Sequence, residues 1–298
     1  MIGEVHSAHL YKPPTELRRK NRIKTIQSSL EIEGNTMTID QVTAIINNNR
    51  VIAPQKDILE VKNAIEIYDN LDNFDANDIE SLLIAHGVLM NGLIENAGRF
   101  RTSSVGIIKG EHVTHIAPAG DMVYGLMADL FEYLKNGEDL LLIKSCVFHY
   151  EFEFIHPFSD GNGRMGRLWQ TLILKKYSPV FEFLPIESFI KENQQEYYKV
   201  LSKADNQGES TVFIEFMLEI IQAALRNILY TRNVILTQDD RIMFFEEIIG
   251  AKYFTRQDYL RNYKSISAAT ASRDLKTAVF NKIIKKTGDK RTSKYRYF

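Results

Sequence analysis

Twelve residues hold the densest chemistry of the chain: His156-Pro157-Phe158-Ser159-Asp160-Gly161-Asn162-Gly163-Arg164-Met165-Gly166-Arg167. They combine an imidazole, a carboxylate, three glycines and two arginines. An imidazole, largely neutral near pH 7, can take a proton from an attacking hydroxyl, and His156 is the candidate. Guanidinium groups grip phosphate oxygens with forked hydrogen bonds. Arg164 and Arg167, three apart, can project on one helical face toward the same anion. A Gly-rich turn feeding a helix N-terminus presents free backbone N–H groups, a ready anion site. Asp160 is misplaced beside phosphates unless a cation lies between, which points to Mg²⁺. The set suits a polyphosphate receptor with a base at its edge. A bland helix–loop–helix with two surface arginines explains any one of these residues but not their ordered combination.

The elements that must position this loop are helical. The apolar run Leu140 to Phe154 predicts a buried helix, with Leu141, Leu142, Cys146, Phe148 and Phe152 inward. Pro157 ends it at or just before His156. Asp160-Gly161-Asn162-Gly163 turns the chain, and a second helix begins near Asn162 and runs toward Lys176. No Gly-Lys-Ser or Gly-Lys-Thr follows the glycines, which excludes a Walker loop. A helical run rather than a strand precedes the turn, so a dinucleotide fingerprint fits poorly.

The run resembles the motif of the Fic family, H-x-F-x-D/E-G-N-G-R-x-x-R, at every defined position. The resemblance implies a mainly α fold with a small β-hairpin flap that aligns a target segment. It implies transfer of AMP from ATP to a Ser, Thr or Tyr hydroxyl of a target protein. On the same basis His156 is the general base, Asp160 holds Mg²⁺, Gly161, Asn162 and Gly163 form the anion cradle, and Arg164 and Arg167 hold the outer phosphates. The flap is expected around Val105 to His115. The stretch Glu196 to Asn206 resembles the one closing the family's adenine pocket, giving Tyr197 and Asn206 as nucleotide contacts; an aromatic core helix is the equal alternative.

Ahead of this lies a helix from about Thr15, with Leu17, Ile23, Ile26 and Leu30 apolar and Gly34-Asn35 as its stop. Glu31 and Glu33 in its last turn oppose the helix dipole, a local rule broken without evident gain. Ser29-Leu30-Glu31-Ile32-Glu33-Gly34 resembles the inhibitory motif of Fic proteins, S/T-x-x-x-E-G/N. That resemblance implies that Glu33 pairs with Arg167, supported by Ser29, and blocks productive ATP placement. Further on, Asn77 or Asp78 is expected to cap a helix through Leu89, within which His86 reads as structural.

The tail differs in charge. From Arg241 to Phe298 there are 14 Lys/Arg against 5 Asp/Glu, in a chain of net charge −1. Helices capped by Thr237, Thr255 and Ser267, then a hairpin from Ile283 to Phe298, predict a winged helix-turn-helix. Lys285, Lys286, Lys290, Arg291 and Lys294 would meet DNA phosphates. Packing or dimerisation alone is the other use of such a domain. The predicted organisation is 1–98 as an N-terminal helical region with the inhibitory helix, 99–232 as a Fic-type catalytic core, and 237–298 as the winged domain.

Composition is that of an ordinary globular chain, 44% hydrophobic and 25% charged. Its single cysteine, Cys146, excludes an intrachain disulfide and reads as core. No apolar span reaches membrane length and no hydrophobic signal region opens the chain, so cytoplasmic residence without membrane contact is the expectation. The helix bearing Phe213, Met217, Ile221 and Leu225 suits core or the contact of a homodimer. Two functions compete: an autoinhibited protein adenylyltransferase using ATP and Mg²⁺, and a DNA-binding regulator whose nucleotide site is a sensor.

Overall fold

A computed structural model describes residues 2–7, 13–104, 106–109, 112–230, 236–263, 266–289 and 292–298. It divides into two compact units, one of Met1–Lys12 and Arg19–Tyr230, the other of Pro13–Arg18 and Thr231–Phe298.

The helices of the first unit are α1 (Ile2–Ser7), α2 (Thr15–Ile32, here from Arg19 on), α3 (Ile39–Ile46), α4 (Gln55–Asp69), α5 (Ile79–Leu89), α6 (Val123–Asn136), α7 (Leu141–Ile155), α8 (Asn162–Tyr177), α9 (Ile186–Glu192), α10 (Gln194–Gln207) and α11 (Thr211–Tyr230). Their ends follow local chemistry. The Asp78 carboxylate caps α5 by accepting from the Glu80 and Ser81 amides, which satisfies two of that helix's first four donors. Gly34, at φ +92°, turns the chain after α2 where a side chain would be strained. The hairpin between α5 and α6 pairs β1 (Gly106–Lys109) with β2 (His112–Ile116) antiparallel, with a bulge between Ile107 and Ile108.

One continuous core runs through this unit. Ile26 and Leu30 of α2, Val61 and Ile67 of α4, Leu82 of α5, Phe131 of α6, Phe148 and Phe152 of α7 and Trp169 of α8 are all buried in it. Helices from both sides of the predicted boundary at residue 98 contribute to this core. The α11 stripe Phe213, Met217, Ile221, Ala224 and Leu225 is buried within the chain, the core role of its two expected uses. Among the described residues no helix is long and apolar enough to cross a membrane.

The second unit holds α12 (Gln238–Ile249), α13 (Arg256–Asn262), α14 (Ala268–Phe280), β3 (Ile284–Thr287) and β4 (Lys294–Tyr297). Thr237 and Thr255 form capping boxes with Asp240 and Asp258, and Ser267 accepts from the Thr270 amide. β3 and β4 pair antiparallel, and Phe254 bridges to Tyr295. Phe245, Phe254, Tyr259, Leu275, Ile284 and Tyr297 form its core. The Arg241 guanidinium enters that core with two bonds to Asp274, 2.7 and 3.0 Å, and the Tyr259 hydroxyl donates to the same carboxylate at 3.1 Å.

Candidate active site

The loop between α7 and α8 is held in a shape its own sequence resists. His156 has φ 51° and ψ 60°, the left-handed region that non-glycine residues avoid. Arg101 holds it there. Its Nε donates to the His156 carbonyl at 2.7 Å and Nη2 to the Ile155 and Pro118 carbonyls at 3.0 and 2.7 Å. Its backbone N–H donates to the Pro157 carbonyl at 2.9 Å. A buried cation at the C-terminal end of α7 also meets the negative pole of that helix; burial pulls the Arg101 pKa down.

Asn162 staples the four residues before it. Its Oδ1 accepts from the Phe158 amide and its Nδ2 donates to the Phe158 carbonyl, both at 2.8 Å. The side chain expected to face the anion is thus engaged inside the loop. His86 braces the turn from α5. Its Nδ1 accepts from the Gly98 amide at 2.8 Å, so Nε2 carries the proton donated to the Asp160 carbonyl at 3.0 Å. Its ring stacks on Phe158 at 3.6 Å. Burial drives its pKa to about 4, so it is a neutral brace across the physiological range. Gly161, at φ +83°, is required twice: for the turn, and because an added Cβ would meet Met90 Sδ at 2.7 Å.

The arginines of α8 diverge to different carboxylates. Arg167, 2% exposed, donates from Nη2 to Glu33 Oε1 at 2.7 Å and to the Ser29 carbonyl at 3.0 Å, and from Nε to the Ser29 hydroxyl at 3.2 Å. Burial opposes its charge, but Glu33 and neighbouring acids outweigh that and hold its pKa above the usual range. Glu33 is 33% exposed, and its carboxylate lies against the bare face of Gly163, where any Cβ would overlap it. A carboxylate oxygen from the end of α2 therefore sits beside the first turn of α8. Arg164 donates from Nη1 to the buried Glu60 of α4 at 3.1 Å and from Nη2 to Asp160 at 3.2 Å.

Asp160 Oδ1 also accepts from the Gly161 amide at 2.6 Å, and its side chain remains 49% exposed. One accessible carboxylate beside an anion cradle fits Mg²⁺, which is held by one or two carboxylates together with substrate phosphates. Among the described residues no three acidic, His or Cys groups form a complete protein cage for a metal. The two residues expected near adenine part company. Tyr197 is buried, its hydroxyl 3.1 Å from His149 Nε2, which makes it a wall of the core; Asn206 is exposed and bonds to the Ser202 carbonyl of its own helix. Burial lifts the Cys146 thiol to about 12, as befits a core residue rather than a nucleophile. Glu60 and Arg101 were not singled out by sequence. The only signal for Glu60 is an acid at helical spacing from Ala64 on an apolar face.

A model of the Fic/DOC family matches residues 74–174. The crystal structure of a Fic family protein from Desulfovibrio desulfuricans G20 is 41% identical, with a TM-score of 0.75 covering 100% of this chain and 92% of that one. This chain belongs to the Fic family. The expected mainly helical fold with a small hairpin is thereby established. A protein of Caenorhabditis briggsae named protein adenylyltransferase fic-1 is 30% identical over 249 residues, which are 76% of this chain and 46% of that protein. Protein adenylyltransferase Fic of Nematostella vectensis is 30% identical over 227 residues, 69% of this chain and 49% of its own length. The chain thus spans about half the length of these curated Fic relatives. Fic-1 of C. elegans shares the fold, with a TM-score of 0.62 at 22% identity over 76% of this chain and 70% of that one.

Proposed function

We propose that this Fic protein is a protein adenylyltransferase held inactive by Glu33. The observation that carries the reading is the Glu33 carboxylate bonded to Arg167 and lying against Gly163. An anion already occupies the receptor, and it comes from the chain itself. A nucleotide's outer phosphate needs that guanidinium and that bare backbone face, so the carboxylate and the phosphate compete for one seat.

In the proposed reaction a hydroxyl of a target protein loses its proton to His156 and attacks the α-phosphorus of ATP. The new oxygen–phosphorus bond forms as the bond to pyrophosphate breaks. The start of α8, with its backbone N–H groups at Asn162 and Gly163, offsets charge on the phosphates, as do Arg164 and Arg167, while the Gly161 N–H is engaged by Asp160. Asp160 would hold Mg²⁺, which when bound neutralises phosphate charge. Arg101 fixes the strained backbone of His156, the residue proposed as the base. Purified Glu33→Gly protein should transfer label from [α-³²P]ATP to protein and none from [γ-³²P]ATP. Transfer of γ label instead would replace adenylylation with phosphorylation.

The second unit supports a further reading as a winged helix-turn-helix that contacts DNA, with the nucleotide site acting as a sensor. Phe254 pairs with Tyr295 of the hairpin through an isolated β-bridge. Arg273 and Lys276 on α14, and Lys285, Lys286, Lys294 and Arg296 on the hairpin, are exposed. Lys290 and Arg291, also expected to meet phosphates, lie outside the described residues. Duplex DNA titrated against the full chain at low and physiological salt should bind with steep salt sensitivity, weakened in Lys285→Glu/Lys286→Glu. No salt-sensitive binding removes this reading.

A further inference from the structure

We propose that Glu60 is a positioning residue, setting the Arg164 guanidinium for the nucleotide's outer phosphates and, through Asn35, tying that arginine to the inhibitory turn. The inference rests on the nucleotide reading of the loop.

Glu60 lies on α4, 104 residues from Arg164 in sequence, and it is buried. A buried carboxylate persists only where its charge and both oxygens are matched. Here Oε1 accepts from Arg164 Nη1 at 3.1 Å and Oε2 from Asn35 Nδ2 at 2.8 Å. Lys56 is the other cation near it, exposed, with Nζ at 3.9 Å. The Glu60 bond fixes one end of the Arg164 fork inside the protein. The other end, Nη2, then points toward half-exposed Asp160 at the rim of the cradle. A guanidinium anchored at one end meets a phosphate without losing further side-chain freedom, and that preorganisation strengthens binding.

Asn35 gives the arrangement its second feature. Its Nδ2 also donates to the Asp57 carbonyl at 3.2 Å, and its Oδ1 accepts from the Met37 amide at 3.0 Å. It stands two residues beyond Glu33. Both arginines of α8 are therefore matched with carboxylates that depend on one short turn: Arg167 with Glu33 itself, and Arg164 with Glu60, which that turn's Asn35 holds.

The test uses the full chain in the Glu33→Gly background. Mg²⁺–ATP binding is measured by isothermal titration calorimetry and KM for ATP by label transfer, for Glu60→Gln, Glu60→Asp and Asn35→Ala. Glu60→Gln should weaken ATP binding and raise KM at least ~5-fold, with kcat within about twofold and partial rescue by Glu60→Asp. Asn35→Ala should shift both values the same way by less, and it covers the case in which Glu60→Gln fails to fold. Unchanged or tighter ATP binding in folded Glu60→Gln and Asn35→Ala proteins overturns the assignment. If Glu33→Gly binds ATP but transfers nothing, adenylyl transfer fails while calorimetry still decides Glu60; if it binds no ATP, both fail.

Discussion

Two buried guanidinium–carboxylate pairs, one in each unit, use the same chemistry for opposite ends. Arg241 and Asp274 meet through two bonds, with side chains 10% and 2% exposed, and Tyr259 satisfies the same carboxylate. Arg167 and Glu33 meet through one bond, and the glutamate stays one-third exposed at the end of a helix. The first pair has both partners largely buried, so parting it leaves a charge unmatched in the core. The second has a buried cation and a carboxylate that water reaches, so only the carboxylate has somewhere to go. The acid of the staple is buried and doubly bonded; that of the proposed latch is part-exposed and singly bonded.

The largest effect should come from the residue the latch guards against. In a Glu33→Gly background, His156→Ala should lower label transfer by about 100-fold or more, the range of a lost general base. Intact transfer would break the link between latch and catalysis. Next comes the staple. Asp274→Ala leaves a buried guanidinium unmatched and should destabilise the second unit by about 3–5 kcal/mol in urea unfolding.

A third, comparable effect concerns pH. Burial raises the carboxyl of Glu187, on α9, to about 7 from an ordinary 4.5, with Tyr68 donating to it at 3.2 Å. The folded state holds this proton more tightly than the unfolded chain. Its stabilising contribution is therefore full below about pH 4.5 and is lost as pH rises through 7. Wild-type stability relative to Glu187→Gln should fall by about 3 kcal/mol across that window. Burial depresses His86 and His149 to about 4 and 3, so they favour folding as pH rises. Being common to both proteins, they cancel in the difference. A flat difference would mean that Glu187 is ionised in the fold. The smallest effect should be on the latch's own stability. Glu33→Gly leaves the buried Arg167 guanidinium with its two Ser29 bonds and should cost about 1–3 kcal/mol, less than Asp274→Ala.

How legible the molecule is in its sequence follows from the range of the forces involved. The ends of α5, α7, α8, α12, α13 and α14 were readable because caps, prolines and glycines act within a turn. The loop from His156 to Arg167 stands out in the sequence because its chemistry is contiguous. Its supports do not. Arg101 reaches carbonyls of residues 155 and 156, and Glu60 reaches residue 164, with no local pattern marking either as a partner. Asn162 shows the same limit from inside the motif: its type suggested an anion ligand, while its geometry spends the side chain on Phe158. Tyr197 read equally as core or contact, and burial against His149 is where the chain puts it.

The latch is tested most directly by the rate of label transfer from [α-³²P]ATP by wild-type and Glu33→Gly proteins, compared at equal concentration and saturating nucleotide. A carboxylate seated where a phosphate must lie predicts that the variant is faster by about tenfold or more. Equal rates would mean that Glu33 occupies no seat the nucleotide needs.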